Sequence, residues 1–403
     1  MYLYAKGIKP NRRSCMRTVS KTVIGVDFGT QSARAVLVNA ENGEIIYSCR
    51  KEYPYNSTPV PAIDCAENLP CATDYEMTLY ELLRNVIPEE YRKTVEGICV
   101  DATSLTMVLL AEDGRALSEL DGWSEAAHAR VKLWKYHRAQ EKADEALNLA
   151  SNLQEPFLGR TGGSISCEWM LPKLLEVRDE APEIYSKIDL AMDLCEFLTF
   201  RLTGQLVRSI GSLSYKCLWA EDLSFPERTF LNGLRAGFYE EYCHFLRGDV
   251  RKPGEFAGML RSELTKRWGL PEQIPVATGM LDGHTSLATM GAFEPGDAAL
   301  IVGTSNVCTV QDRKLQELKD VCGVAQDGMV TGSCGIDTGQ SSTGNMLGWF
   351  VEHMAGWQIH REAEERKISP HQVLAERIQK PWENKVIAVD WWSGSRNAPC
   401  DLT

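Results

Sequence analysis

Asp27 closes an apolar run and is followed by Gly29, Thr30, Gln31, Ser32 and Arg34, within the stretch IGVDFGTQSARAVLV at residues 24–38. A glycine and small hydroxyl side chains at the end of a strand-like run are residue types that hold phosphate, because a turn leaves backbone N–H groups free to converge on an anion. The common phosphate loops lead from strand into helix. Here a second β-rich run follows at once, so the phosphate would sit in a hairpin. The pattern recurs in ALIVGTSNVCTV (299–310), with Gly303, Thr304 and Ser305 between two β-rich runs. Two such turns, far apart in the chain, predict two hairpins from two domains with phosphates between them. Taken alone, Asp27 reads as a turn-capping residue, and Arg34 either reaches a phosphate or is solvated.

The elements that would position these residues follow from local pattern. TVIGVDF (22–28) and RAVLVNA (34–40) predict strands, and Asn42-Gly43 predicts a hairpin into a third strand, giving an antiparallel meander. YEMTLYELLRNVI (75–87) predicts a helix with Met77, Tyr80, Leu83, Arg84 and Ile87 at helical spacing. VEGICVDATS (95–104) predicts a buried strand that again ends in an acid and small polar residues, and strand ends are where open α/β sheets bind ligands. Helical stretches are expected over 130–152, over 167–187 with interruptions near Pro172 and Pro182, and over 193–204 with Gly204 as its stop. Near residue 275 the chain returns to strands, turns and glycines.

At 403 residues two domains are expected, and 44% hydrophobic residues supply ample core. The net charge of −12 argues against nucleic acid or an anionic membrane as partner, and no apolar run is long enough to span a bilayer. Thirteen cysteines are scattered with no C-x-x-C spacing, and Cys65, Cys71, Cys322 and Cys334 fit neither a zinc site nor a secreted disulfide framework. A reduced, cytoplasmic setting follows. The first twenty residues carry Lys6, Lys9, Arg12, Arg13 and Arg17 and lack the apolar core of a secretory signal. They read as a disordered extension or one preceding a true start at Met16.

In this order the segments GVDFGTQSARAVLV, GICVDATSLTM, VKLWKYH, CEWM, SYKCLW, LDGHTS, GTSNVC and CGVAQDGMVTG resemble the FGGY carbohydrate kinases, and within that family the ribulokinase branch. The resemblance runs from about residue 22 to the last residue. It implies an α/β chain of the actin/hexokinase-like ATPase fold (ribonuclease H-like), with two domains closing over ATP. Residues 21–275 would form the sugar-binding domain and 276–403 part of the nucleotide-binding domain. VIAVDWWSGSR (386–396) looks like the family's LDWFNGxR, with Ser393 in place of Asn. Family members normally continue for more than a hundred residues beyond, so the second domain is expected to be incomplete.

The resemblance also implies roles. Gly29, Thr30, Gln31, Ser32 and Arg34 would hold nucleotide phosphates from one side, and Gly303, Thr304 and Ser305 from the other. Asp27 would orient Mg²⁺ carried in by ATP, directly or through water. Asp282, in GMLDGHTS, would accept the proton of the attacking sugar hydroxyl; its other reading is a helix N-cap, and His284 is treated as a neighbour. Ser104, Lys216 and Asp337 match the sugar contacts of the ribulokinase branch, and Trp169 is either a sugar-facing wall or a core residue. Asp337 stands where that branch more often has Glu, a reach shorter by about 1.5 Å. The implied reaction is direct transfer of the γ-phosphate of ATP to the terminal hydroxyl of a ketopentose, L-ribulose first. The rival readings are another sugar or polyol kinase of the family, an inactive sugar-binding fragment, or an actin- or chaperone-like ATPase with a protein partner. A homodimer is left open.

Overall fold

The computed structural model describes residues 19–53, 69–303 and 305–378, together with Trp392 and Gly394. The expectations for residues 1–18, for Thr304 and for most of 386–396 lie outside the described residues.

The meander forms as the sequence predicts. β1 (Thr22–Phe28) pairs antiparallel with β2 (Ser32–Asn39), which pairs antiparallel with β3 (Ile45–Glu52). Gly43 takes the left-handed φ of +74° that the Asn-Gly turn requires. β4 (Val95–Ala102) lies parallel to β1 on its other side, and the strands Pro275–Ala277 and Met280–Leu281 both run parallel to β4. Phe256–Met259 completes this seven-stranded sheet. The expected division at 275/276 therefore falls inside the first sheet, which runs on to Leu281. A separate antiparallel sheet has the order Ala298–Val302, Asn306–Asp312, Cys334–Gln340, Gly323–Gln326.

Strand periodicity decides what faces the core. Along β1 the buried residues are Thr22, Ile24, Val26 and Phe28, and along β4 Val95, Ile98, Val100 and Ala102. Because side chains alternate, Asp27 and Asp101 point to the opposite face, and the parallel register sets them side by side. The helices Ala72–Val86 and Leu194–Thr203 pack on the core side.

One helical expectation is met and two are corrected. The helix near residue 75 buries Ala72, Tyr75, Leu79, Leu82, Leu83 and Val86, while Met77 is 65% exposed. The expected helix forms, and of the residues at helical spacing Leu83 and Ile87 are buried and Tyr80 half-buried, while Met77 and Arg84 face solvent. The expected helix over 130–152 is helical only at Gln140–Leu153. Its first part is a bridge followed by turns instead, with Lys132 joined to Met107 by N–H···O bonds in both directions (2.9 and 3.1 Å). Pro172 does not interrupt its helix, Met170–Glu180, because it sits in the first turn, where N–H groups have no partner to lose. Gly204 ends Leu194–Thr203 at φ +72°, as expected.

The two regions meet around Tyr215. Its hydroxyl donates to the carbonyl of Gly335 (2.7 Å), and a Cβ added at Gly323, Gly328 or Gly335 would come within 2.7, 2.6 or 2.5 Å of this side chain. Three glycines of the second region thus make the seat for one ring of the first.

Candidate active site

The C-terminal ends of β1, β4 and Met280–Leu281 lie next to one another, and each delivers a carboxylate. Asp27 pairs in register with Asp101, Met280 pairs with Asp101, and Asp282 begins the following helix, Asp282–Met290. A cleft of ≈ 590 Å³ opens over these ends, lined from the first region by Gly29, Thr30, Ser104, Trp169 and Lys216 and from the second by Gly303, Ser305 and Asp337.

Asp282 lies deep in this cleft and keeps part of its surface open to it. Its carboxylate accepts from the Gly283 N–H (2.6 Å). Removal from water, with Asp27 and Asp193 adding like charge, pushes its pKa up to about 7; the Gly283 N–H and Lys216 pull the other way. The helix N-cap is Leu281, so Asp282 is the first helical residue, and one of its carboxylate oxygens accepts from the N–H of the second, Gly283. A carboxylate poised near neutrality and open to a cleft is suited to accept a proton.

The first hairpin places Gly29 and Thr30 in the cleft wall, braced from both sides: Tyr53 donates to the Gly29 carbonyl (2.9 Å) and the Trp134 indole to the Thr30 hydroxyl (3.0 Å). Arg34 lines the same wall and pairs with Asp27 at 3.4 Å. Gln31 is exposed, and buried Ser32 accepts from Arg50 (3.0 Å); neither lines the cleft. In the second hairpin the Gly303 N–H donates to the Ser305 carbonyl (2.9 Å), and both residues line the cleft.

The expected sugar contacts also converge. Lys216 and Asp337, both largely buried, approach from opposite regions to 3.6 Å, and His284 comes within 3.7 Å of the same Asp337 oxygen while its ring packs edge-on against Tyr215. The Ser104 hydroxyl is buried beside the cleft with no hydrogen-bond partner. Trp169, 3% exposed, is both a cleft wall and a core residue.

Sequence reasoning did not single out Asp101. Burial and the nearby carboxylates of Asp27 and Asp282 push its pKa well up. Its signal was present, since VEGICVDATS ends in an acid just as TVIGVDF does, but only the parallel register reveals that the two acids are neighbours. Trp134 was likewise quoted only within a motif. Among the described residues no three His, Cys, Asp or Glu side chains form a metal cage. Mg²⁺ keeps most of its waters and takes one or two carboxylates besides substrate phosphates, so Asp27 and Asp101, two carboxyl groups side by side in the cleft lining, fit such an ion.

Comparison with solved structures defines the fold. The chain superposes on a ligand-bound xylulose kinase from Lactobacillus acidophilus with a TM-score of 0.73 at 18% identity, covering 95% of this chain and 71% of that one. This is the actin/hexokinase-like ATPase fold. Residues 22–289 match the N-terminal domain of the FGGY family of carbohydrate kinases, and the chain belongs to that family. It is 32% identical over 392 residues to a ribulokinase of Halalkalibacterium halodurans, covering 95% of this chain and 70% of that protein. With a ribulokinase of Mycolicibacterium smegmatis it shares 35% identity over 397 residues, covering 94% and 69%. The chain is thus a sugar kinase by family, a phosphotransferase. No helix among the described residues is long and apolar enough to cross a membrane.

Proposed function

We propose that this chain phosphorylates a ketopentose, L-ribulose first, with ATP as donor. What supports the reading is the meeting, in one cleft, of both glycine hairpins, the half-open Asp282 and the Lys216–Asp337 pair; the ribulokinases of similar sequence point to the same sugar.

In this mechanism Ser104, Lys216 and Asp337 hold the sugar so that its terminal hydroxyl meets Asp282. Asp282 takes the proton as the oxygen attacks the γ-phosphorus, and the leaving ADP oxygen departs in line. Backbone N–H groups at Gly29–Thr30 and Gly303–Ser305 carry the phosphate charge. Asp27, with Asp101 behind it, would hold Mg²⁺, which neutralises phosphate charge when bound. Tyr215 and its glycine seat join the two regions across which the cleft closes, and closure excludes water as a competing acceptor. The cytoplasm, where ATP is plentiful, is the setting.

The test is ADP release by the 403-residue chain with Mg-ATP, with and without L-ribulose, beside Asp282→Asn. Sugar-dependent turnover that falls about 10²–10⁴-fold in the variant is expected. No turnover, with L-ribulose still bound in calorimetry, would make the chain a sugar-binding protein. One observation favours a second reading: Asp337 is short for its place and stands 3.6 Å from Lys216, which leaves room for a differently shaped ketopentose such as D-xylulose. A panel of pentuloses in the same assay decides between them.

A further inference from the structure

Lys173 lies outside the cleft, on the helix Met170–Glu180, and is 0% exposed. Among the described residues its ammonium meets no carboxylate at ion-pair distance; it donates instead to three main-chain carbonyls, those of Leu105 (3.0 Å), Leu133 (2.9 Å) and Lys132 (3.4 Å). Burial pushes its pKa down to about 7. Three carbonyl acceptors oppose that, because a neutral amine has two N–H groups and would turn its lone pair on the third oxygen.

The three carbonyls belong to two segments, which lead to two different places on the first region's wall of the cleft. Leu105 follows Ser104 and holds a left-handed φ of +41°, which a leucine adopts only under constraint. The constraint is a clamp on both sides of the residue: its N–H donates to the buried Asp193 carboxylate (3.1 Å) and its carbonyl accepts from Lys173. Ser104, with its unpartnered buried hydroxyl, is held at the cleft by this clamp. Lys132 and Leu133 precede Trp134, whose indole donates to Thr30 of the first hairpin.

We infer that Lys173 is a positioning residue that fixes the sugar loop at Ser104 and the phosphate hairpin at Thr30 in one mutual register. This rests on reading the cleft as a site for sugar and nucleotide. In-line transfer requires the acceptor oxygen and the phosphorus to be aligned, and small errors of placement are costly in rate. One buried ammonium shared by both segments is a direct way to hold that alignment.

The test is calorimetric binding of L-ribulose and of a non-hydrolysable ATP analogue to the full chain, with folding of each variant checked by near-UV circular dichroism. Lys173→Met is expected to weaken both ligands by about tenfold, the loss of a buried multi-bond contact. Trp134→Phe, which removes the indole N–H and keeps the aromatic packing, is expected to weaken the analogue by about fivefold, near the value of one hydrogen bond, with L-ribulose unchanged. In the double variant the analogue should bind no more weakly than to Lys173→Met alone, because both changes cut the same link. Folded Lys173→Met that binds both ligands like the parent would overturn the inference, as would multiplicative losses in the double variant. If Lys173→Met does not fold, a Trp134→Phe protein that binds the analogue normally overturns it alone. A parent chain that binds neither ligand removes the reading of the cleft itself, and the inference with it.

Discussion

From Thr22 to Leu281 the chain buries its side chains in two large clusters, and even its charges go inside whole: Lys132 pairs with Glu176 at 3.0 Å and Arg208 with Glu196 at 2.8 Å, all at 3% exposure or less. Among the described residues from Ala298 onward the buried clusters are small, one shared with Tyr215, Leu287 and Ala292 and one formed by Ile359, Ala363 and Val373. The same second region exposes large apolar side chains along the edge strand, Leu300 at 58% and Val302 at 52%, and along the helices from residue 344, from 42% at Phe350 to 64% at Trp357. A buried ion pair is poor evidence of net stability, but it demands fixed geometry. The contrast therefore concerns precision as well as stability. The wall that carries Asp27, Asp101 and Asp282 is set in a dense lattice, whereas Ser305 and Asp337 ride on a sheet with a thin core of its own.

Equal truncations in the two regions should have unequal effects. Phe197 is 0% exposed in the helix Leu194–Thr203, and Phe197→Ala is expected to cost about 3–5 kcal/mol of unfolding free energy. Trp357→Ala, at 64% exposure, is expected to change stability by no more than about 0.5 kcal/mol despite the larger side chain lost. Urea unfolding of both variants checks this. Comparable losses would mean that the exposed row is covered in solution and that the contrast is false.

This contrast also explains what could be read without coordinates. The hairpins at Gly29–Thr30 and Gly303–Ser305 were legible because local turn chemistry and flanking β-branched runs agree, and both strand pairs form within two residues of their expected limits. Asp101 was not legible as a site residue, since its meaning lies in a parallel register across some seventy residues. The segment at 131–136, bridged at Lys132 and turning at Trp134–Lys135, was misjudged because its helix-like spacing was overridden by pairing with Met107 and by the carbonyl contacts to Lys173. Lys173 itself carries no signal in sequence. A lysine in an amphipathic helix reads as a solvated residue, and only its total burial reveals otherwise.

The junction of the two regions can be probed through charge. Asp282 has a folded pKa of about 7 against an ordinary value of 3.8, so between those values the folded chain holds a proton that the unfolded chain has released. Stability therefore falls as pH rises through this interval. Asp282→Asn removes the penalty, and its stabilisation over the parent should grow from about pH 4 to pH 7 and level off above, reaching about 2 kcal/mol once partial access to solvent is allowed for. In the parent, turnover should rise with pH through about 7 as the base ionises. Thermal melts of both proteins from pH 5 to 8 test the first statement. A flat difference would show that Asp282 is ionised throughout and that the cleft floor is wetter than its packing suggests.

A smaller effect than that of Asp282→Asn is expected at the seam. Tyr215→Phe removes only the hydroxyl that donates to the Gly335 carbonyl and leaves the ring in its glycine seat. The carbonyl is left buried by the same ring, so the change should cost about 1 kcal/mol. That loss should fall on the second region first, because its own clusters are too small to hold the sheet in place. Hydrogen exchange can locate it: faster exchange confined to Cys334–Gln340 and Gly323–Gln326, with β1 and β4 unchanged, is the expected result. Uniform acceleration along the whole chain would mean that the two regions unfold as one cooperative unit, with the first lending its stability to the second.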